Sequence, residues 1–270
     1  MEQIVGTPKR PSSQEPNNSA GSREDLRQVV KMKPYTVPAF VAEHCVPPGL
    51  EYLALVDQII VSQQLQIVEL LVGMEQANKY VVRNNMGQFM YFALEESDFC
   101  TRCILGDIRP FEMKLMDYRG EEVMRMCRPL RCNSWICFCC LQEIRVEAPP
   151  GRSIGHIKQD CTVVYPSFSI LNAVHQEVLK ITGPLCTSSC MGDVPFEIYT
   201  SDRKQKIGRI SKNWSGLVKE AFTNADNYAL AFPIDLSTDI KAVLLGCLFL
   251  IEFIFFEAGR APDLPTNIFN

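Results

Sequence analysis

The sequence predicts a mainly β domain, a sandwich or a closed barrel, followed by one apolar helix at its C-terminal end. Three observations predict it. Short β-branched and aromatic stretches alternate with turn residues along most of the chain. A strand–turn–strand pattern recurs: Phe111–Asp117 leads through Tyr118–Gly120 into Glu121–Met126, and Phe196–Asp202 leads through Lys204–Lys206 into Ile207–Ile210. Ser167–Asn172 followed by Glu177–Ile181 has the same form. The third observation is Ala242–Glu257, the only long apolar block. A closed barrel has no sheet edges but an interior to fill, and an apolar helix is a suitable plug.

Residues 1–48 form an N-terminal tail and lead-in. The first part is rich in Ser, Pro, Asn and charge without apolar periodicity, which predicts disorder. Pro34, Pro38, Pro47 and Pro48 then enforce extended chain. The folded domain is assigned to 49–258 and a C-terminal tail to 259–270. Leu50–Ile59 reads as a short helix or a first strand, and Ile60–Val72 as a strand. Lys79–Arg83 and Gln88–Phe92 flank Asn84–Gly87 as a hairpin. Tyr228–Phe232 reads as the last strand. The helix covers 239–257, with Asp235, Ser237 or Thr238 as N-cap and Asp239 near its positive end. Gly259, Pro262 and Pro265 stop it.

A helix apolar on nearly every side must be buried in lipid or in protein. Crossing about 30 Å of hydrocarbon takes roughly 20 apolar residues. This run of about 15 covers about 22 Å. Glu252 interrupts it, and an acid at mid-bilayer costs about 2.5–3.5 kcal/mol. Both facts favour a helix inside the protein over a short span. Leu248 and Phe253 are the residues whose surroundings distinguish the two.

The chain has 270 residues and a net charge of −4, so nothing attracts it globally to nucleic acid or anionic lipid. Its start lacks a basic segment followed by an apolar core, so no secretory signal is read there. The twelve cysteines are then expected as thiols. His44, His156 and His175 sit in no paired spacing, and there is no glycine-rich phosphate loop or nucleophile elbow. A conventional enzyme is not expected.

Four constellations carry candidate chemistry. Cys137, Cys139 and Cys140, with Cys132, crowd around Trp135, Ile136 and Phe138. Adjacent Cys139 and Cys140 suit zinc poorly, and apolar company suits S-acylation at a membrane surface. Small buried core residues are the plain alternative. Cys100, Cys103, Cys186 and Cys190 would suit a structural zinc site, which the sequence alone does not favour. Asn224, Asp226, Tyr228 and Asp235 space oxygen donors as a weak calcium loop would, without the glycine or closing Glu of an EF-hand. A polar turn entering a strand, Tyr228–Phe232, is the reading the residues by themselves favour. Arg209, Lys212 and Trp214 lie in the most basic stretch, with Arg203, Lys204, Lys206 and Lys219. An import receptor or phosphates would read such a patch; a solvated hairpin is the plain alternative.

Ordered blocks through the chain resemble the phospholipid scramblase family. They include Leu50–Leu53, Asp57–Ile60, Arg128–Cys132, Cys139–Ile144, Ala148–Gly151, Gly192–Ile198, Gly208–Trp214, Glu220–Tyr228 and Phe232–Leu236. On these residues the chain is identified as a member. The resemblance implies a tubby-like closed β-barrel of about twelve strands around a buried apolar C-terminal helix. It implies calcium-triggered, ATP-independent, bidirectional movement of phospholipids between leaflets, at the cytoplasmic face of the plasma membrane. A palmitoylation motif falls on Cys137, Cys139 and Cys140, with Trp135, Ile136 and Phe138 replacing family residues. The calcium motif falls on Asn224–Asp235, where Asn224 replaces an Asp and removes one charge. A nuclear-import segment falls on Gly208–Leu217, making the nucleus a second location. The partners implied are phospholipid membranes and a second copy of the chain. SH3 and WW partners are not expected because the long proline-rich region of some members is missing, and nucleic acid is not favoured. The alternative is an acylated lipid-binding adaptor that enters the nucleus and transports nothing itself.

Overall fold

The computed structural model describes residues 46–63, 78–97, 101, 104–105, 109–131, 141–162, 164–185, 194–212 and 227–256. A short helix, α1 (Glu51–Ala54), precedes twelve strands. These are β1 (Gln58–Gln63), β2 (Lys79–Asn84), β3 (Phe89–Glu96), β4 (Phe111–Met116), β5 (Glu122–Arg128) and β6 (Glu143–Glu147). They continue as β7 (Ser153–Gln159), β8 (Ser167–Asn172), β9 (Glu177–Thr182), β10 (Val194–Thr200), β11 (Lys206–Lys212) and β12 (Asn227–Ala231). Each strand pairs antiparallel with the next, and β12 pairs back onto β1, so the sheet closes.

Period-two alternation fills the lumen. Val61, Tyr80, Ala93, Met113, Met126 and Ile144 point inward, as do Ile157, Phe168, Ile181, Phe196, Ile210 and Leu230 around the rest of the ring. Helix α2 (Thr238–Phe255) occupies that lumen, and every residue from Ile240 to Phe253 is buried. Ser237 caps it by accepting from the Ile240 N–H at 3.4 Å. The helix lies close to the wall at Gly246, where a Cβ would stand 3.1 Å from Val146 Cγ2 and 3.3 Å from Ile157 Cδ1. No helix among the described residues is long and apolar enough to cross a membrane.

Antiparallel succession puts alternate connections at opposite ends. At the end where α2 enters, the connections are tight turns, three of them of one design. Asn84 Oδ1 accepts from the N–H groups of Met86 and Gln88, and Gly87 follows with φ 77°. Asp117 accepts from Arg119 and Glu121 before Gly120 at φ 79°; Asn172 accepts from Val174 and Gln176 around His175 at φ 60°. Side-chain acceptors two and four residues before the donors mimic a backbone turn, and a left-handed residue matches the twist of the flanking strands.

The hairpins expected from sequence are all present, with two adjustments. Leu50–Ile59 resolves into α1 and the start of β1, and β1 is described only to Gln63. In the Phe196 hairpin Thr200, not Asp202, occupies the position that Asp117 holds in the other, because Gln205 pairs back to Thr200. Strands β6 and β7 were not expected from sequence, although Glu143–Glu147 alternates strictly, because β6 is only five residues long and β7 lacks an inward side chain at Gly155, which packs against Val243 and the Leu171 carbonyl.

Candidate functional site

At the far end, where α2 finishes, inward-facing polar residues form a collar around its last turns. Tyr80 on β2 donates its hydroxyl to Glu252 Oε1 at 2.8 Å, and its ring meets Phe249 edge-on at 5.2 Å. Glu252 is 1% exposed, so its one-residue break in the apolar helix is answered from the wall rather than by water. Glu95 on β3 takes Arg109 in a fork, Nε at 2.8 Å and Nη2 at 3.1 Å, with both side chains buried. Arg128 at the end of β5 donates through Nε and Nη2 to Gln142 Oε1.

These groups sandwich the helix terminus. The Arg109 guanidinium lies 4.9 Å over Phe253, Phe253 stacks on Phe111 at 4.2 Å, and Arg128 lies 5.6 Å from Phe111. Across the mouth, Phe255 meets Phe196 at 5.6 Å and Phe168 at 6.4 Å. Phe256 sits against Tyr228 with Lys212 Nζ 4.7 Å over its ring. Drawing α2 out would expose this aromatic clasp and separate Glu252 from Tyr80.

The entry end holds the helix differently. Lys241 is fully buried, and its Nζ donates to the carbonyls of Leu53, Val56 and Ile234 at 3.1, 2.9 and 2.8 Å, with Ala54 at 3.4 Å. The ammonium thus satisfies carbonyls at the end of α1 that no helix continues to use. Burial pushes it down to about 8, against the upward pull of Asp57 and Asp235.

The residues singled out by sequence fall as follows. Leu248, Glu252 and Phe253 are all inside the barrel, which supports the enclosed helix over a span. Tyr228 is 1% exposed and faces the core, whereas Asp235 is exposed beyond the other end of β12. A strand carrying the chain about 13 Å separates them, so they do not converge as one loop would. Arg209 points outward and Lys212 inward, and Arg203 and Lys204 lie in the turn at the entry end, so the basic stretch is not one patch. Asn224, Asp226, Trp214, Cys137, Cys139, Cys140, Cys100, Cys103, Cys186 and Cys190 lie outside the described residues. Among the described residues no three His, Cys, Asp or Glu side chains gather as a metal site. Sequence reading missed Tyr80, Arg109 and Lys241. The lone charges at each end of an apolar helix, Lys241 and Glu252, were the available signal.

A closed antiparallel barrel that holds its own C-terminal helix, clasped at both mouths, defines a class of single-helix-filled β-barrels. Within it the match is specific: the Scramblase family model fits residues 37–258, and the chain belongs to that family. It is 50% identical to human phospholipid scramblase 1 over 222 residues, 82% of this chain and 70% of that protein. It is 49% identical to mouse phospholipid scramblase 1, covering 78% of this chain and 64% of the relative, and 48% identical to bovine phospholipid scramblase 2, covering 79% and 73%. The chain thus spans under two thirds of the mouse relative's length.

Proposed function

We propose that this protein moves phospholipids between the leaflets of a membrane, triggered by calcium and without ATP, from the cytoplasmic face of the plasma membrane. The observation that carries this reading is its 50% identity over 222 residues to a protein named phospholipid scramblase 1. Geometry constrains how it works. A headgroup needs water or polar groups along its whole path. The enclosed α2 lines no such path. Transport therefore requires self-association or local disturbance of the bilayer by the barrel, with acyl chains on Cys137, Cys139 and Cys140 holding it there. Calcium bound by oxygens of Asn224 and Asp226, without Asp235 at the other end of β12, would act next to Tyr228, whose ring touches Phe256 at the end of α2. Purified protein reconstituted in liposomes with labelled phosphatidylcholine and phosphatidylserine should speed flipping when millimolar calcium is added. Equal rates with and without protein would remove the reading.

One observation favours a second reading. The lumen is occupied by α2, which suits an acylated lipid-binding adaptor that transports nothing. Replacing Cys137, Cys139 and Cys140 by Ala should then move the chain from membrane to nucleus, while liposome flipping stays at background for wild type.

A further inference from the structure

Two of the three histidines meet on the outer wall. His156 lies on β7 and faces away from the lumen, since Ile157 beside it belongs to the core. His175 belongs to the turn between β8 and β9, and its ring lies over His156 with centroids 4.3 Å apart and planes 26° from parallel. His175 is exposed, whereas His156 beneath it is 8% exposed. The turn itself does not ask for a histidine. In the two turns of the same design, after Asn84 and Asp117, the left-handed place is held by Gly87 and Gly120; here His175 takes it at φ 60°. Glycine adopts that backbone at no steric cost and histidine does not, so the stack offsets a local penalty.

Hydrogen bonding leaves His156 half answered. Its Nε2 stands 3.3 Å from Ser153 Oγ. Its Nδ1 has no hydrogen-bond partner among the described residues, with Glu143 Oε1 on β6 3.8 Å away. Arg131 holds the other oxygen of that carboxylate, Oε2, at 2.7 Å. The remaining charges that face the ring are positive. Arg145 is its cross-strand partner on β6, Lys158 follows it on β7, and His175 lies above. On β8 its partner is the uncharged Leu171, and beyond that Glu177 on β9 is taken by Lys180 at 2.9 Å. Glu147, the other acid of β6, is taken by Arg145 at 2.9 Å. Burial first, and then His175, holds His156 below the ordinary 6.5, against the upward pull of Glu143.

We propose that the His156–His175 stack is a proton-operated latch that shuts the β8–β9 turn against the wall when neutral and releases it in acid. A protonated His156 must donate from Nδ1, and among the described residues Glu143 Oε1 is the acceptor within reach. Closing that gap to a charge-assisted hydrogen bond moves the ring by about 1 Å and draws it off His175. A second proton, on His175, adds like-charge repulsion across the stack. The shut form disfavours the imidazolium. As pH falls through 6.5 the open form therefore takes up the proton more readily and gains population, and above that value the latch stays shut. None of this depends on lipid transport.

Amide hydrogen exchange of the full chain, corrected for its intrinsic pH dependence, tests the latch. The Val174, His175 and Gln176 amides all bond to Asn172, and those of Met86, Gly87 and Gln88 bond in the same way to Asn84 in a turn without histidine. Between about pH 7.5 and about pH 5 the first set should exchange at least about fivefold faster and the second should not change. His156→Phe keeps a ring under His175 without a proton to gain, so the acceleration should vanish. Glu143→Gln withdraws the negative charge that receives the imidazolium, so the midpoint should move to lower pH. Equal acceleration at both turns, or none at either, would overturn the latch, and this comparison within the wild type stands even if a variant fails to fold. Acceleration that persists in His156→Phe, or an unmoved midpoint in Glu143→Gln, would overturn it as well.

Discussion

The two ends of the barrel share twelve strands and differ in what joins them. At the entry end the turns are short and each carries a left-handed residue, Gly87, Gly120, Gly151, His175 or Arg203. The only buried charge on the helix there, Lys241, is spent on backbone carbonyls. At the far end the connections run over 64–78, 97–110, 129–142, 160–166, 183–193 and 213–226, and the buried polar groups answer one another through side chains. The difference teaches a division of labour. Tight turns set the register of each hairpin, since a one-residue slip would put every side chain on the wrong face. With register fixed at one end, the other is free to carry the collar and the attachment points of the cysteine-rich and calcium-like segments.

The largest test of this contrast removes the far-end clasp. Phe253→Ala deletes the ring between Arg109 and Phe111 and should cost about 3–5 kcal/mol in urea unfolding. A loss below about 1 kcal/mol would mean the clasp holds nothing.

Next in size is a pH effect at the entry end. Lys241 holds its proton less tightly when folded, near 8, than its ordinary 10.5. Between those values the unfolded chain binds more protons, so stability should rise as pH rises, by up to about 3 kcal/mol. Comparing wild type with Lys241→Met isolates this term from other lysines and tyrosines. Parallel stability curves for the two would show that Lys241 does not titrate there.

A smaller loss is expected for Tyr80→Phe, which leaves the Glu252 carboxyl without its hydroxyl donor at an unchanged ring. About 1–3 kcal/mol should be lost, and Glu252→Leu in the same background should recover part of it. Failure of that rescue would separate the two residues energetically.

The smallest effect belongs to a turn. Gly120→Ala meets no atom within 4 Å, so only its left-handed backbone is strained, at about 1 kcal/mol. A cost above that of Tyr80→Phe would make the turns, not the collar, the more demanding end.

Much of the fold was legible because its signals are short-range. Asn84-x-x-Gly87 and Asp117-x-x-Gly120 between alternating stretches mark hairpins on their own. The opposite facing of Arg209 and Lys212 was also legible, since residues an odd number apart on a strand point apart. Strands β6 and β7 were not expected, because β6 is a short alternating run of five residues and the inward place at Gly155 in β7 answers to a helix far along the chain. The histidine stack was invisible for a related reason. His156 and His175 become neighbours only through the pairing of β7 with β8.

By itself the sequence determined that there would be hairpins in succession and one helix apolar on every side, because backbone conformation and side-chain alternation are local properties. Whether that helix would lie in lipid or in protein was left to tertiary structure. Closure of β12 onto β1 created a lumen lined by apolar side chains, with a hydroxyl placed for Glu252 and carbonyls placed for Lys241. Apart from Ile234, those partners come from residues more than 170 positions away, and no local pattern encodes a distance of that kind.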